Sequence, residues 1–182
     1  EDITTDTYTV TVGMFRAVHE LWSVLANVGV MHTRSDFADA GGARTTTGST
    51  GVSGDASLIY KGERTFATFT FFHGLAPAYG QEGAALRTSA VASVERQFLY
   101  DVSGSLSAGF YRNTSDAGEF STDEIDERSA RVRPSIRWKP SKYIVFDASY
   151  MYTWIEKRIT DSKATQTVAY AGVVLSYPLF DE

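Results

Sequence analysis

The chain contains no cysteine, only 4 prolines, and no run of about 18 apolar residues. The lack of cysteine excludes a disulfide framework and a thiolate metal site. The lack of a long apolar run excludes a membrane-spanning helix, but not membrane-spanning strands, which are short and only half apolar. A surplus of Lys and Arg is also missing, since the formal net charge is -5, so we expect no nucleic-acid partner.

The sequence is instead rich in aromatic residues, at 13%, and in segments where apolar and polar residues alternate. In the clearest segment, from Ala130 to Trp138, one parity is apolar and the other carries Arg131, Arg133 and Arg137. A period of two is typical of a β-strand that has one apolar and one polar face. This segment therefore predicts a strand between hydrocarbon and water.

The same alternation recurs along the chain and predicts roughly nine strands of about 9 to 13 residues, long enough to cross a bilayer at a tilt. The predicted connections alternate in length. Residues 16–20, 61–64, 97–100 and 139–142 are short, whereas 34–50, 74–85, 113–127 and 159–164 are long or intermediate. We therefore predict one all-β region over residues 1–182: an antiparallel up-and-down transmembrane β-barrel in a bacterial outer membrane, with the lipid bilayer as its partner.

An odd number of strands leaves the two chain ends on opposite sides of the membrane, whereas intact single-chain barrels of this class have an even number. We therefore expect the chain to be the C-terminal part of a longer, even-stranded barrel. If the first segment is not a strand, the alternative is a closed barrel of eight strands.

Two sets of residues follow from the predicted faces. The aromatic residues predicted to lie at the membrane interfaces are Trp22, Tyr60, Trp138, Tyr143, Trp154 and Tyr177. The charged residues predicted to face the lumen are Asp55, Lys61, Arg87, Glu95, Asp101, Arg131, Arg133, Arg137 and Asp147. The arginines could select anions, or they could pair with Asp147 and Glu95 and rigidify the wall; we favour the second interpretation.

The three histidines, His19, His32 and His73, are scattered, and none lies in a catalytic motif. We therefore predict no catalytic residue, and we interpret the histidines as interface residues. The acidic segment from Asp116 to Glu127 lacks the glycine turn and ligand spacing of a calcium loop, so we interpret it as a solvated loop. No metal and no cofactor are predicted.

Three segments together resemble a known group of proteins. They are residues 86–112, which include Glu95-Arg96-Gln97-Phe98, then Arg133-Pro134-Ser135-Ile136-Arg137-Trp138, and the ending Val174-Leu175-Ser176-Tyr177-Pro178-Leu179-Phe180. They resemble the C-terminal region of barrel proteins encoded beside bacterial exopolysaccharide systems, over about the last two-thirds of the chain. Phe180 also resembles the terminal aromatic of the barrel assembly signal, although Pro178, Asp181 and Glu182 depart from that pattern.

The resemblance implies a location more than an activity. We expect a passive, porin-like channel, or the membrane anchor of an export or surface assembly that would bring other envelope proteins as partners. The alternative is a scaffold that binds a partner through long extracellular loops, and a lipid-modifying enzyme comes third.

Overall fold

The computed structural model describes residues 2–38, 44–77, 84–115 and 124–176. These residues form nine strands: β1 (Asp2–His19), β2 (Trp22–Ala38), β3 (Arg44–Lys61), β4 (Thr65–Pro77), β5 (Ala84–Gln97), β6 (Val102–Ser115), β7 (Ile125–Ser141), β8 (Ile144–Lys157) and β9 (Ser162–Leu175). They follow one another in a single antiparallel sheet, which confirms the all-β, up-and-down prediction. Over the same ranges, no helix is long and apolar enough to cross a membrane.

The two outer strands, β1 and β9, do not pair with each other, so the sheet is not closed over the described residues. Because Asp2–His19 is a strand and pairs with β2 along its length, the alternative arrangement of eight strands is wrong. β1 begins at one end of the sheet and β9 finishes at the other.

The strands are longer than predicted, from 13 residues in β4 to 18 in β1 and β3. The bounds predicted for three long connections are therefore wrong. The segment 34–50 shows this best, because β2 continues to Ala38 and β3 begins at Arg44, with Arg34 opposite Gly48. Likewise β4 continues to Pro77, and β6 continues to Ser115. Threonine favours extended backbone and needs no burial, so a Thr-rich segment continues a ladder beyond its apolar part.

The connections define two ends of the sheet. We call the end that carries residues 20–21, 62–64, 98–101 and 142–143 the turn end. The opposite end, where residues 39–43, 78–83, 116–124 and 158–161 separate the strands, is the loop end. The last of these connections is a tight turn in which Asp161 has a φ of 45°, a left-handed conformation that aspartate tolerates better than most residues. The acidic segment 116–123 lies outside the described residues.

One surface, the apolar face, runs without interruption across the sheet. Cross-strand partners share a face, so a single row can be followed through all nine strands: Met14, Ala26, Ala56, Phe71, Ala90, Phe110, Ala130, Trp154 and Thr165. Large members of this face are exposed, including Val12 at 75% and Ile136 at 52%. An apolar surface of this extent needs an apolar surrounding, which a bilayer supplies.

The sheet has almost no buried hydrophobic core. Among the described residues, only Met31, Ala85 and Ile125 are buried hydrophobic residues, and all three lie on the other face of the sheet, which we call the polar face. A soluble protein of this size would bury far more apolar side chains. Most large hydrophobic residues of the described ranges therefore lie on the surface of the sheet, where lipid can cover them.

The ladder between β7 and β8 is interrupted within the apolar face, apart from a register shift between Trp138 and Ser141 beside the turn. Pairing stops after Val132 opposite Tyr152 and resumes at Ser135 opposite Ser149, so Arg133 and Pro134 have no partners in β8. Proline has no N–H to donate, which accounts for the break. On its other side, Pro134 still lies opposite Leu106 in β6.

The two-faced sheet predicts that a charge is tolerated on one face only. Leu106 lies on the apolar face between Val94 and Pro134, and Ser105 lies beside it on the polar face opposite Glu95. We expect Leu106→Arg to lower the free energy of unfolding in lipid vesicles by about 2–4 kcal/mol, because it places a cation in hydrocarbon. Ser105→Arg should cost less than about 1 kcal/mol, the typical size of one lost hydrogen bond. Equal losses in urea titrations of the two variants would contradict the assignment of the faces.

Candidate functional site

The polar face is the candidate functional surface, and hydrogen bonds between neighbouring strands organise it. Asn27 Nδ2 donates to Asp55 at 2.8 Å, and Arg87 Nε donates to Asn113 Oδ1 at 2.9 Å. Hydroxyl pairs join Thr68 to Ser93 and Ser105 to Ser135, both at 2.7 Å. The Asn27 side chain lies over Gly13 of β1, where a Cβ would collide with it, so the glycine leaves room for the bond to Asp55.

A short charge contact of this face lies toward the turn end. Arg137 Nε donates to Asp147 Oδ1 at 2.6 Å, and the two residues are cross-strand partners on β7 and β8. Together with Glu95, Ser105 and Ser135 they line a cavity of about 150 Å³. The side chains are 53% and 28% exposed, so water screens the pair and limits its contribution to stability.

Arg131 and Arg133 differ from Arg137, although all three follow one another on the same face of β7. Both are exposed, and no ion pair within the described ranges includes either of them. Their cross-strand partners are neutral: Gly109 and Thr153 for Arg131, and Ser107 for Arg133. The Tyr111 hydroxyl lies over Gly109, so an aromatic side chain occupies the position beside Arg131. The two arginines are thus cations whose charge no neighbouring carboxylate balances.

The two interpretations of the arginine row apply to different residues. Arg137 pairs with Asp147, as the wall-stiffening interpretation requires. Arg131 and Arg133 do not, because Glu95 lies two strands away, opposite Ser105, rather than beside them. The sequence could not reveal this, since parity assigns a residue to a face but not to a partner.

The remaining charged residues of the predicted set lie on the same face, except one. Asp55 lies opposite Phe72 as well as Asn27, and Lys61 lies opposite Phe66 at the turn end. Asp101 differs from its prediction. It belongs to the turn 98–101, and its Oδ2 accepts a hydrogen bond of 2.9 Å from Nε1 of Trp138 on the apolar face. The reason is that β6 begins only at Val102, so strand parity does not apply to Asp101.

Aromatic residues gather on the apolar face at the turn end. Trp22 and Tyr60 have ring centroids 4.9 Å apart, and Trp138 stacks on Phe146 at 5.3 Å. Lys142 Nζ lies 4.8 Å from the ring centroid of Tyr143 in the adjacent turn. Amphipathic rings beside a cation are typical of the boundary between hydrocarbon and headgroups. Trp154 lies toward the loop end of β8, and Tyr177 lies outside the described residues.

The histidines contact neutral groups. His32 Nδ1 lies 3.0 Å from the Thr50 hydroxyl, and His73 Nδ1 lies 2.8 Å from that of Thr88. Both histidines lie on the apolar face, closer to the loop end than most of its large apolar residues. His19 ends β1 rather than lying within a turn. None of these contacts resembles the serine, histidine and carboxylate arrangement of a hydrolase.

A second group of charges, which was not predicted from the sequence, lies on the apolar face at the loop end of β6 to β9 and in the turn between β8 and β9. The group, which we call the rim cluster, consists of Arg112, Asp126, Arg128, Glu156, Arg158 and Lys163. Continuing the even parity of β6 and β7 beyond Phe110 and Ala130 would have found its two central arginines.

No sequence profile of a known protein family matches the chain, and no curated protein matches it. Solved structures that share its fold include two of OmpT, an outer membrane protein of Vibrio cholerae. The in-vitro folded trimer form is 13% identical with a TM-score of 0.51, and the form expressed in the outer membrane is 11% identical with a TM-score of 0.50.

The sheet has the fold of an outer-membrane β-barrel. In each comparison the match covers 93% of this chain and 54% of the other, so the chain spans about half the length of these barrels. The fold agrees with the outer-membrane location predicted from the sequence, and with contact between the apolar face and lipid.

The contrast between the arginines predicts their energetic coupling. A double-mutant cycle between Arg137→Ala and Asp147→Ala should give an interaction energy of up to about 1 kcal/mol that weakens as salt is raised, because both side chains are partly exposed. The matched cycle between Arg133→Ala and Asp147→Ala should give an energy near zero. Unfolding titrations in lipid vesicles measure both, and equal coupling in the two cycles would contradict the pairing.

Proposed function

We propose that this chain forms the wall of a passive outer-membrane channel, with the polar face lining water and the apolar face against lipid. The observation that carries the proposal is the pair of uncompensated cations, Arg131 and Arg133, in the middle of the polar face. A wall with only a structural role would balance such charges across its strands, as Arg137 and Asp147 do.

The charge pattern of the wall favours the passage of anions. Toward the turn end, Arg137 and Asp147 cancel each other, so this position attracts neither sign strongly. Arg131 and Arg133 project a positive potential because their cross-strand neighbours are neutral. Charged residues along a pore set its selectivity, and here they would concentrate small anions or acidic sugars.

The finer resemblance to barrels of exopolysaccharide systems stays a prediction. A membrane anchor for an export or surface assembly uses the same apolar face but needs no open lumen. A scaffold for partner binding would depend on the loop-end connections, most of which lie outside the described residues. We also propose that the chain has no enzymatic role, because His32 and His73 contact threonines on the apolar face.

Measurements of ion selectivity test the proposal with two variants that should shift the reversal potential in opposite directions. Arg131→Gln with Arg133→Gln should shift the reversal potential in planar bilayers toward cations, because it removes the uncompensated charges. Asp147→Asn should shift it toward anions, because it leaves Arg137 without its carboxylate. The two variants thus remove charges of opposite sign from the same face.

The control is Arg96→Gln, which removes a cation from the apolar face at the turn end and should leave the reversal potential unchanged. Absence of any conductance through the full-length protein would exclude the channel and favour the anchor. An unchanged reversal potential in both lumen variants would exclude a role of these residues in selectivity.

A further inference from the structure

Two arginines of the rim cluster lie directly opposite each other, which is unusual for paired strands. Arg112 of β6 and Arg128 of β7 are cross-strand partners. Like charges in this position repel each other and destabilise the pair unless an anion lies between them. The carboxylates beside Arg112 and Arg128 do not fully neutralise these two charges.

The carboxylates of the rim cluster are shared or already engaged. Asp126 lies 3.7 Å from Arg112 Nε and 3.5 Å from Arg158 Nη1, so one carboxylate lies between two arginines, and its Oδ1 is buried without a hydrogen-bond partner among the described residues. Glu156 is the cross-strand partner of Arg128 but contacts Lys163 at 3.3 Å. The Nε of Arg128 is buried and has no hydrogen-bond partner among the described residues. One of the five N–H donors of its guanidinium is thus left unsatisfied.

The position of the rim cluster indicates which kind of anion can neutralise its arginines. Arg112 comes two residues after Phe110, and Arg128 comes two residues before Ala130. The two arginines therefore lie on the same face as Phe110 and Ala130, about 7 Å closer to the loop end. Trp154 lies in that row on β8. A membrane lipid has the same order, with a charged headgroup about this far beyond the start of its acyl chains.

We propose that the rim cluster binds a membrane lipid whose headgroup carries phosphate. Two guanidinium groups hold the phosphate by charge-assisted hydrogen bonds, and the acyl chains lie along Phe110, Ala130 and Trp154. Four cations against two carboxylates leave the rim cluster positive, which complements an anionic headgroup. The site is on the outer surface of the sheet and does not depend on conduction.

Native mass spectrometry of the full-length protein in a neutral detergent tests the proposal. The probes are dioleoyl phosphatidic acid, dioleoylglycerol, which lacks only the phosphate, and inorganic phosphate. The wild-type protein should bind phosphatidic acid at least about tenfold more tightly than either of the others, since the site needs both the phosphate and the chains. Arg112→Gln with Arg128→Gln should weaken that binding by about tenfold or more.

Two further variants separate this site from general effects of charge and folding. Arg131→Gln with Arg133→Gln removes the same charge from the polar face and should leave lipid binding unchanged. Arg112→Lys with Arg128→Lys keeps the charge and should retain more binding than the glutamine variant. Binding of inorganic phosphate as tight as that of phosphatidic acid would overturn the proposal, as would equal losses in the two glutamine variants or no loss in either.

Discussion

The fold depends on the hydrogen-bonded register that joins each strand to its neighbour from β1 to β9. Hydrocarbon offers no partner to a backbone N–H or C=O, so each strand within a membrane must satisfy these groups through its neighbours. The same register fixes both surfaces, because a slip of one residue would move Val132 to the polar face and Arg131 into lipid. The chemistry of the wall and its stability in the membrane therefore rest on one set of pairings.

Along the strands, the charges differ in how they are balanced. Near the turn end, Arg137 is held by Asp147, and the apolar face carries paired rings such as Trp22 and Tyr60. Midway along β7, Arg131 and Arg133 face neutral partners. At the loop end, arginines appear on the opposite, apolar face, where Arg112 and Arg128 repel each other. Balanced charges stabilise, whereas unbalanced ones are available to ions or lipids.

Alternation in the sequence was sufficient to predict β7 and β8, because each combines a clear period of two with a tight turn between them. It failed for residues 34–50, where threonine and serine occupy both parities and periodicity gives no sign that the strands continue. The partners of Arg131 and Arg137 could not be predicted either, since these depend on the register between strands. Asp101 shows a further limit, because its parity ceases to have meaning one residue before β6 begins.

The break at Pro134 has a mechanical consequence. Between β7 and β8 the ladder lacks pairs at two successive positions, within the span of the apolar face. Fewer hydrogen bonds resist separation along this line than along the uninterrupted seam between β6 and β7. Separating the hairpin of β8 and β9 from β7 therefore requires fewer backbone hydrogen bonds to break than separating β7 from β6.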